Sequence, residues 1–465
     1  MALVYSDKAI LAPMVRFGTL PFRLLALRCG ADIVYSEEII DFKMISCTRV
    51  ENKVLGTVDF AMSDGHCVFR TCEEERNRVV FQMGTSCAAR ALQIAKLVEN
   101  DVAGIDINMG CPKPFSLTGG MGAALLSKPE QVREILSTLV KGVKVPITCK
   151  IRLLPTLEET ISFVKMVEST GVAAIALHGR YKHQRSSTAC HVDLIKAVVE
   201  STSLPVIANG GSRQISRYDD IEKFRKATGA ASVMVARAAM HNPSVFRKEG
   251  FLPWDAVSLE YFQLSARYQP AFANAKYGLA AGVCVSILQE PFGEKLLAAR
   301  TYEEVAEAMG WTEQYDVIEK ELARKEVELQ SSRFGQPLVV GDPGRKYEQL
   351  RAQPEISEEG TMEMHITFKL DNYRNKPTPK SVLLEWARRN SKKQPVFVTT
   401  ERSKDRTYKS VCTVSGQGYS STFWERSKRF AEHAASLVCI DVLGIEERRW
   451  NESEPAAPDQ NGSSS

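Results

Sequence analysis

Eight short apolar runs dominate the first 240 residues and limit what they can fold into. The runs are 9–14, 32–37, 79–84, 104–110, 146–151, 173–179, 205–211 and 232–237, none longer than seven residues. They are rich in Ile and Val and do not alternate with polar residues, the pattern of strands buried on both faces. Helix-like stretches lie between them. Residues 20–30 end in Gly30, 129–142 begin with Pro129 and end in Gly142, and 157–171 end in Gly171. Proline at a helix start and glycine at its end is the expected asymmetry. Eight strands, each followed by a helix, predict an α/β chain whose first domain is a (β/α)8 TIM barrel. A doubly wound open sheet is the alternative. It expects a G-x-G-x-x-G loop after the first strand, whereas this chain reads PMVRFGTLPF there.

The strand signal stops after the eighth run. Residues 251–330 have helical periodicity, and 331–360 are rich in Gly, Pro and charge, as a linker is. Residues 361–445 then read as helix (378–390, with Thr378 as cap and Pro379 opening it), three strand-like runs (395–403, 406–414, 417–424) and a second helix (424–440). Phe430, Ala434, Leu437 and Val438 share one face of that helix, and a further strand-like stretch, 362–370, precedes the first. Residues 446–465 have the composition of a disordered tail. The expected domains are therefore a barrel (1–250), a small helical domain (251–330), a linker (331–360), an α-β-β-β-α domain (361–445) and a tail (446–465).

Composition excludes several classes. With 44% hydrophobic and 25% charged residues over 465 positions, the chain is neither collagen-like nor wholly disordered. No run nears the roughly 18 apolar residues of a membrane helix, and the N-terminus has no secretory pattern. Eleven cysteines, an odd number without a CxxC pair, argue against a disulfide framework or a zinc site. No metal is expected, and a reducing, intracellular compartment fits best. The net charge of +4 is unevenly spread. Residues 361–450 hold 17 Lys and Arg against 10 Asp and Glu, while the remainder is slightly acidic. Such asymmetry suggests a nucleic-acid-binding appendage.

Barrel chemistry sits at the C-terminal ends of the strands. The residues there are Ala12, Pro13 and Met14, then Gln82, then Asn108 and Cys111, then Lys150 and Arg152, then His178 and Arg180, then Asn209, Gly210 and Gly211, and finally Ala236 and Arg237. Asn209-Gly210-Gly211 after strand seven and Arg237 after strand eight suit a phosphate. Gln82, Lys150 and His178 could hydrogen-bond the carbonyls and ring nitrogens of a flavin, with Lys150 stabilising negative charge. A salt-bridged Lys150 and a packed His178 are the structural alternatives. Cys111, in NMGCP, is positioned as a nucleophile or a general acid. The other cysteines read as buried apolar fillers.

The strings APM (12–14), FQMG (81–84), DINMGCPK (106–113), GGMGAAL (119–125), CKIR (149–152), HGR (178–180), ANGG (208–211) and MVARA (234–238) occur in order. Together they resemble the flavin-dependent tRNA-dihydrouridine synthases, and the D-x-N-x-G-C-P-x-K string is the most specific of them. The resemblance implies FMN bound through Pro13, Met14, Val15, Gln82, Lys150, His178, Asn209, Gly210, Gly211, Ala236 and Arg237, with NADPH as reductant. It also implies hydride transfer from flavin N5 to C6 of a uracil and protonation of C5 by Cys111, giving 5,6-dihydrouridine. The target base has to leave its stack to be reached. Asn108 and Lys113 are expected to orient base and backbone, and Arg152, Arg180 and Arg185 to meet the RNA. The loop after HGR, YKHQRSSTACHVD, departs from the HGRTRxQ of bacterial members but stays polar through Arg180, Lys182, Gln184 and Arg185.

The basic C-terminal segment resembles a double-stranded RNA-binding domain, which reads duplex shape through phosphate and 2′-hydroxyl contacts. Lys376 and Lys380 lie before and at the first helix, and Lys428 and Arg429 open the second. The family's Gly-Pro turn followed by His is replaced by ERSKDR (401–406). A synthase barrel joined to such a domain resembles the eukaryotic branch that modifies uridine 20 of the tRNA D loop. That likeness implies a cytoplasmic or nuclear location, with tRNA as partner and further protein partners open to the C-terminal domain. Two other readings stand beside this one. One is a double-stranded RNA-binding or kinase-regulating adaptor with an unused barrel, against which Cys111, Lys150 and His178 argue. The other is a flavin dehydrogenase of a small pyrimidine or enone, against which the basic segment argues.

Overall fold

A computed structural model of the chain describes residues 3–62, 65–283, 291–331 and, with short breaks, 355–445. Most of the expected linker, the tail 446–465, Cys284, Lys376 and residues 403–406 of the substituted turn lie outside the described residues. The described parts form two compact units, divided between Arg345 and Lys346.

The first unit is built on a closed parallel barrel. Its eight strands are β1 (Ala9–Leu11), β2 (Ile33–Tyr35), β7 (Val79–Gly84), β8 (Gly104–Asn108), β9 (Ile147–Leu153), β10 (Ala174–Tyr181), β11 (Val206–Asn209) and β12 (Ser232–Val235). Each pairs in parallel with the next, β2 with β7, and β12 closes on β1 through Ala9 opposite Val233. Every strand falls within one of the eight apolar runs or extends it by a few residues. The open doubly wound sheet is thereby excluded.

Side chains alternate across each strand, so residues two apart share a face. Ile10, Ile33, Val80, Ala174, Ala176, Ile207 and Met234 fill the barrel interior. Ile105, Ile107, Cys149, Ile151, Ile175 and Leu177 belong to the layer under the surrounding helices. The predicted helices form at Leu20–Arg28, Pro129–Gly142 and Leu157–Glu168. The last is fixed by a capping box: Thr156 Oγ1 accepts from Glu159 N, and Glu159 Oε2 accepts from Thr156 N. Losing such a cap costs about 1 kcal/mol. Gly171, at φ +84°, ends the segment as expected.

One barrel repeat departs from the expected alternation. Between β2 and β7 the chain forms β3 (Ile39–Ile40), a four-residue helix Asp41–Met44 and an antiparallel sheet of β4 (Thr48–Asn52), β5 (Thr57–Ala61) and β6 (Cys67–Cys72). β3 pairs with the C-terminal end of β7 and so extends the barrel mouth. Two almost fully buried ion pairs hold this insertion. Arg23 engages Glu75 with two nitrogens, and Arg70 engages Asp59 likewise. Removing one partner of such a pair costs roughly 3–5 kcal/mol, because a buried charge is left behind.

Residues 254–331 are helical where described: Trp254–Tyr268, Phe272–Gly278, a π turn at Leu279–Val283, Pro291–Ala298, Tyr302–Met309 and Thr312–Ser331. They share the barrel's core, with Tyr261 edge-on to Phe22 at 5.8 Å.

The second unit packs helices Pro379–Arg389 and Lys428–Val442 on a sheet. Its strands are β13 (Glu355–Ile356), β14 (Met362–Met364), β15 (Val396–Arg402), β16 (Thr407–Val414) and β17 (Gln417–Ser421), in the order β13-β14-β17-β16-β15. Among the described residues of the stretch 362–370, Met362–Met364 form a strand parallel to β17. The core joins Leu383, Cys412, Val414, Tyr419, Ala434, Leu437 and Val438, with Phe430 half-buried at its edge. The second helix begins at Lys428, later than the sequence suggests. Glu425 is still bridged to Tyr408, and Ser427 then caps the helix by accepting from Phe430 N.

Candidate active site

The strand alternation that builds the barrel also assembles its mouth. Gln82 on β7, Asp106 and Asn108 on β8, and Thr148, Lys150 and Arg152 on β9 occupy inward positions. Most of them form a continuous polar chain. Thr148 Oγ1 donates to Asp106 Oδ1 at 2.7 Å, and Gln82 Nε2 donates to Asp106 Oδ2 at 2.8 Å. Asn108 Nδ2 donates to Gln82 Oε1 at 3.4 Å, while Asn108 Oδ1 accepts from Gly110 N at 2.9 Å and Cys111 N at 3.1 Å. A carboxylate only accepts and a backbone N–H only donates. Both ends of the chain therefore fix the two amide orientations between them. Asn108, expected to meet the base, is engaged in holding the Cys111 loop.

Arg152 braces the same loop. Its Nε donates to Gly110 O at 2.9 Å and its Nη1 to Tyr181 O at 3.2 Å. Cys111 is half-buried on this loop. Burial raises its thiol above the ordinary cysteine range, and the Glu38 carboxyl adds to that effect. Lys113 is exposed two residues further on.

The Lys150 ammonium has no ion-pair or hydrogen-bond partner among the described residues. Desolvation and the charge of Arg152 push it down to about 8, against the opposing attraction of Asp106. His178 is held far below its usual range by desolvation, then by Lys150, Arg152, Arg180 and Arg237, so its imidazole is neutral. Arg180 Nη1 lies 3.2 Å from His178 Nε2. A guanidinium cannot accept, so Nε2 is the acceptor and the ring proton resides on Nδ1.

Arg180, expected at the RNA, is turned inward and 1% exposed. It donates to Gly210 O at 2.9 Å and Thr188 O at 2.8 Å, and its buried Nη2 has no partner among the described residues. Gly210 has φ +117°, and a Cβ there would lie 2.8 Å from Cys190 Sγ and 3.0 Å from His178 Cδ2. Asn209 is anchored through Nδ2 to Met234 O at 2.8 Å. Desolvation and Arg213 lower Arg180, while desolvation, Arg180 and Arg213 lower Arg237. The end of the barrel at β11 and β12 therefore carries cations that repel one another. Pro13, Met14 and Ala236 are partly exposed there, Gly211 is buried, and Val15 is 47% exposed.

The loop after β10 is folded back on itself. Tyr181 N donates to Gln184 Oε1 at 2.9 Å, and Gln184 Nε2 meets His191 Nε2 at 3.2 Å. Lys182 and Arg185 are left exposed. Sequence reading missed Arg213, two residues past Gly211, and Glu38, which directly follows the second apolar run. Among the described residues no group of three or more His, Cys, Asp or Glu could hold a metal, and no helix is long and apolar enough to cross a membrane.

In the second unit Lys428 and Arg429 are exposed at the first turn of their helix. The dipole of such a helix end favours anions. Lys380 is tied down, its Nζ 2.6 Å from Glu432 Oε2 and 4.5 Å from the Phe397 ring centroid.

Fold and site define a (β/α)8 barrel with a cationic mouth and a cysteine loop, in a chain that carries a separate basic domain. The chain belongs to the dihydrouridine synthase family, whose model, described as Dihydrouridine synthase (Dus), matches residues 10–269. Residues 379–443 match the double-stranded RNA binding motif. The chain is 39% identical over 325 residues to a tRNA-dihydrouridine(20) synthase of Schizosaccharomyces pombe, covering 66% of this chain and 65% of that protein. It is 38% identical over 297 residues to a tRNA-dihydrouridine(20) synthase of Saccharomyces cerevisiae, covering 60% of this chain and 77% of that one. A crystal structure of a tRNA-dihydrouridine(20) synthase double-stranded RNA-binding domain is 43% identical, with 19% of this chain and 96% of that one covered and a TM-score of 0.19.

Proposed function

We propose that this protein reduces a uridine of the tRNA D loop, at position 20, to 5,6-dihydrouridine, using FMN and NADPH in the cytoplasm or nucleus. The observation that carries the reading is the Cys111 loop, pinned by Asn108 and Arg152 beside a cation-rich mouth. The residues fit FMN. The orphaned Arg180 Nη2, the Gly210 cradle and the mutually repelling Arg180, Arg213 and Arg237 call for a phosphate. Lys150 and the Nδ1–H of His178 offer donors to a heteroaromatic ring. FMN bound there would supply hydride for C6 of the uracil, with NADPH as the source of electrons.

The chain's own part is to hold and protonate. Lys150, charged at neutral pH, stabilises negative charge gathered at the ring carbonyls. The neutral His178 donates without adding a further positive charge. The Cys111 thiol delivers its proton to C5, completing addition of a hydride and a proton across the C5–C6 double bond. The exposed Lys113 and Arg185 meet the RNA backbone in this reading, and Lys428 and Arg429 contact duplex phosphates.

The test is direct. Purified protein should be yellow, bleach with NADPH and regain colour on adding tRNA that lacks dihydrouridine. Cys111→Ala should keep the flavin and the tRNA but lose turnover, read by mass spectrometry of the tRNA. Full activity in that variant would remove Cys111 as the acid, and protein without flavin would sink the whole reading.

A further inference from the structure

Exposed apolar side chains are unevenly spread over the barrel. Among the described residues up to 250, the large hydrophobic ones that stand exposed are Val4, Val15, Phe42 and Phe115, and all but Val4 sit on the C-terminal rim. The two aromatic rings are 63% and 51% exposed. Phe42 belongs to the helix Asp41–Met44, which β3 carries to the mouth by pairing Ile40 with Gly84. The Arg90 guanidinium lies over its ring, 4.2 Å from the centroid. That guanidinium is fixed: Arg90 Nε donates at 2.9 Å to Oδ2 of the buried Asp41, which also accepts from Thr85 Oγ1 at 2.9 Å. The next residue, Ser86, borders the Cys111 loop, for a Cβ on Gly120 would lie 3.6 Å from Ser86 Cβ and one on Gly122 would lie 3.0 Å from Cys111 Cβ. Phe115 lies in the short helix Pro114–Thr118 that follows Cys111, two residues from the exposed Lys113. Each ring therefore has a cation beside it and a place next to the reacting cysteine's loop. Exposed rings interleaved with cations suit single-stranded nucleic acid: the rings stack on bases of any identity and the cations meet the phosphates between them.

We propose that Phe42 and Phe115 are stacking shelves for the two nucleotides that flank the reduced uridine in the single-stranded loop of the RNA. The inference rests on tRNA being the substrate. A uridine drawn out of its stack into the mouth leaves its neighbours without a stacking partner, and the two rings restore one to each. Arg90 covers one face of Phe42, so the base takes the other. Lys113 meets the phosphate beside Phe115. Because a ring accepts any base, the shelves set where the strand lies on the rim and leave its sequence unread.

Binding of the full chain to tRNA lacking dihydrouridine, followed by fluorescence anisotropy at fixed salt, tests this without requiring turnover. Phe42→Ala and Phe115→Ala should each weaken binding roughly tenfold. The dependence of affinity on salt should stay unchanged, since no charge is removed. Phe→Tyr at either position should bind as the wild type does, whereas Phe→Leu should not, because stacking needs the ring. The loss caused by each alanine should vanish on tRNA carrying an abasic nucleotide at one of the two positions beside uridine 20. Both side chains are exposed, and thermal unfolding checks that each variant is folded. Unchanged affinity in either alanine variant would overturn the assignment, as would losses that persist on both abasic tRNAs or full binding by the leucine variants. Self-association that the alanines abolish, with tRNA binding intact, would assign the rings to a contact between copies of the chain and likewise overturn it. The expected losses in a protein whose wild type never reduces tRNA would support the shelves and refute the functional reading, so the two fail separately.

Discussion

Asp106→Asn tests whether the carboxylate at the centre of the barrel is kept for orientation at the expense of stability. Asp106 is fully buried, and desolvation pushes it up to about 6 despite donors from Thr148 and Gln82 and the nearby charge of Lys150. In the unfolded chain the same group titrates near 3.9. Between those values the native state binds more protons than the unfolded one. This group's contribution to stability is therefore complete below the lower value and is lost as pH rises through the upper one. From about pH 4.5 to about pH 7.5 the loss amounts to about 2 kcal/mol. The substituted amide does not titrate, so the variant escapes that loss. Its altered hydrogen bonds shift its stability by an amount that does not depend on pH and cancels from the trend. Urea unfolding of both proteins across this range, followed by circular dichroism, should show the difference moving by about 2 kcal/mol in favour of Asp106→Asn. Turnover should fall, because an amide facing Gln82 Nε2 turns the Gln82 side chain and loosens Asn108 and the Cys111 loop. Unfolding curves that stay parallel across the range would refute the reasoning, as would undiminished turnover.

Further outcomes are expected. Because Lys150 sits near 8, flavin affinity should fall as pH rises above about 8, by up to about tenfold per unit, and Lys150→Met should abolish that trend; equilibrium dialysis against FMN measures it. The unliganded fold should show the opposite sign, gaining stability over the same rise, since the unfolded lysine keeps its proton to higher pH. Lys428→Ala with Arg429→Ala should weaken tRNA binding and flatten its dependence on salt by about two in log–log slope, while flavin stays bound. Lys380→Ala should alter that slope least, because its charge is already engaged by Glu432.

The sequence by itself determined the barrel. Parallel strands buried on both faces announce themselves as local apolar runs, and their C-terminal ends mark where Gln82, Asn108, Cys111, Lys150, His178 and Asn209 must converge. Helix ends were equally legible at Pro129, Gly142 and Gly171, because such start and stop signals act over three or four residues. The antiparallel sheet between β2 and β7 was not legible, since its short strands are held by contacts no local pattern marks: Phe60 and Phe69 pack into the barrel's core, and Arg23 and Arg70 pair with Glu75 and Asp59. The inward turn of Arg180 and the pairing of Lys380 with Glu432 across 52 positions appear only in the tertiary structure. A charged residue reads the same in a sequence whether it faces solvent, a partner or a reacting sulfur. Its role depends on the neighbours and the desolvation that folding supplies.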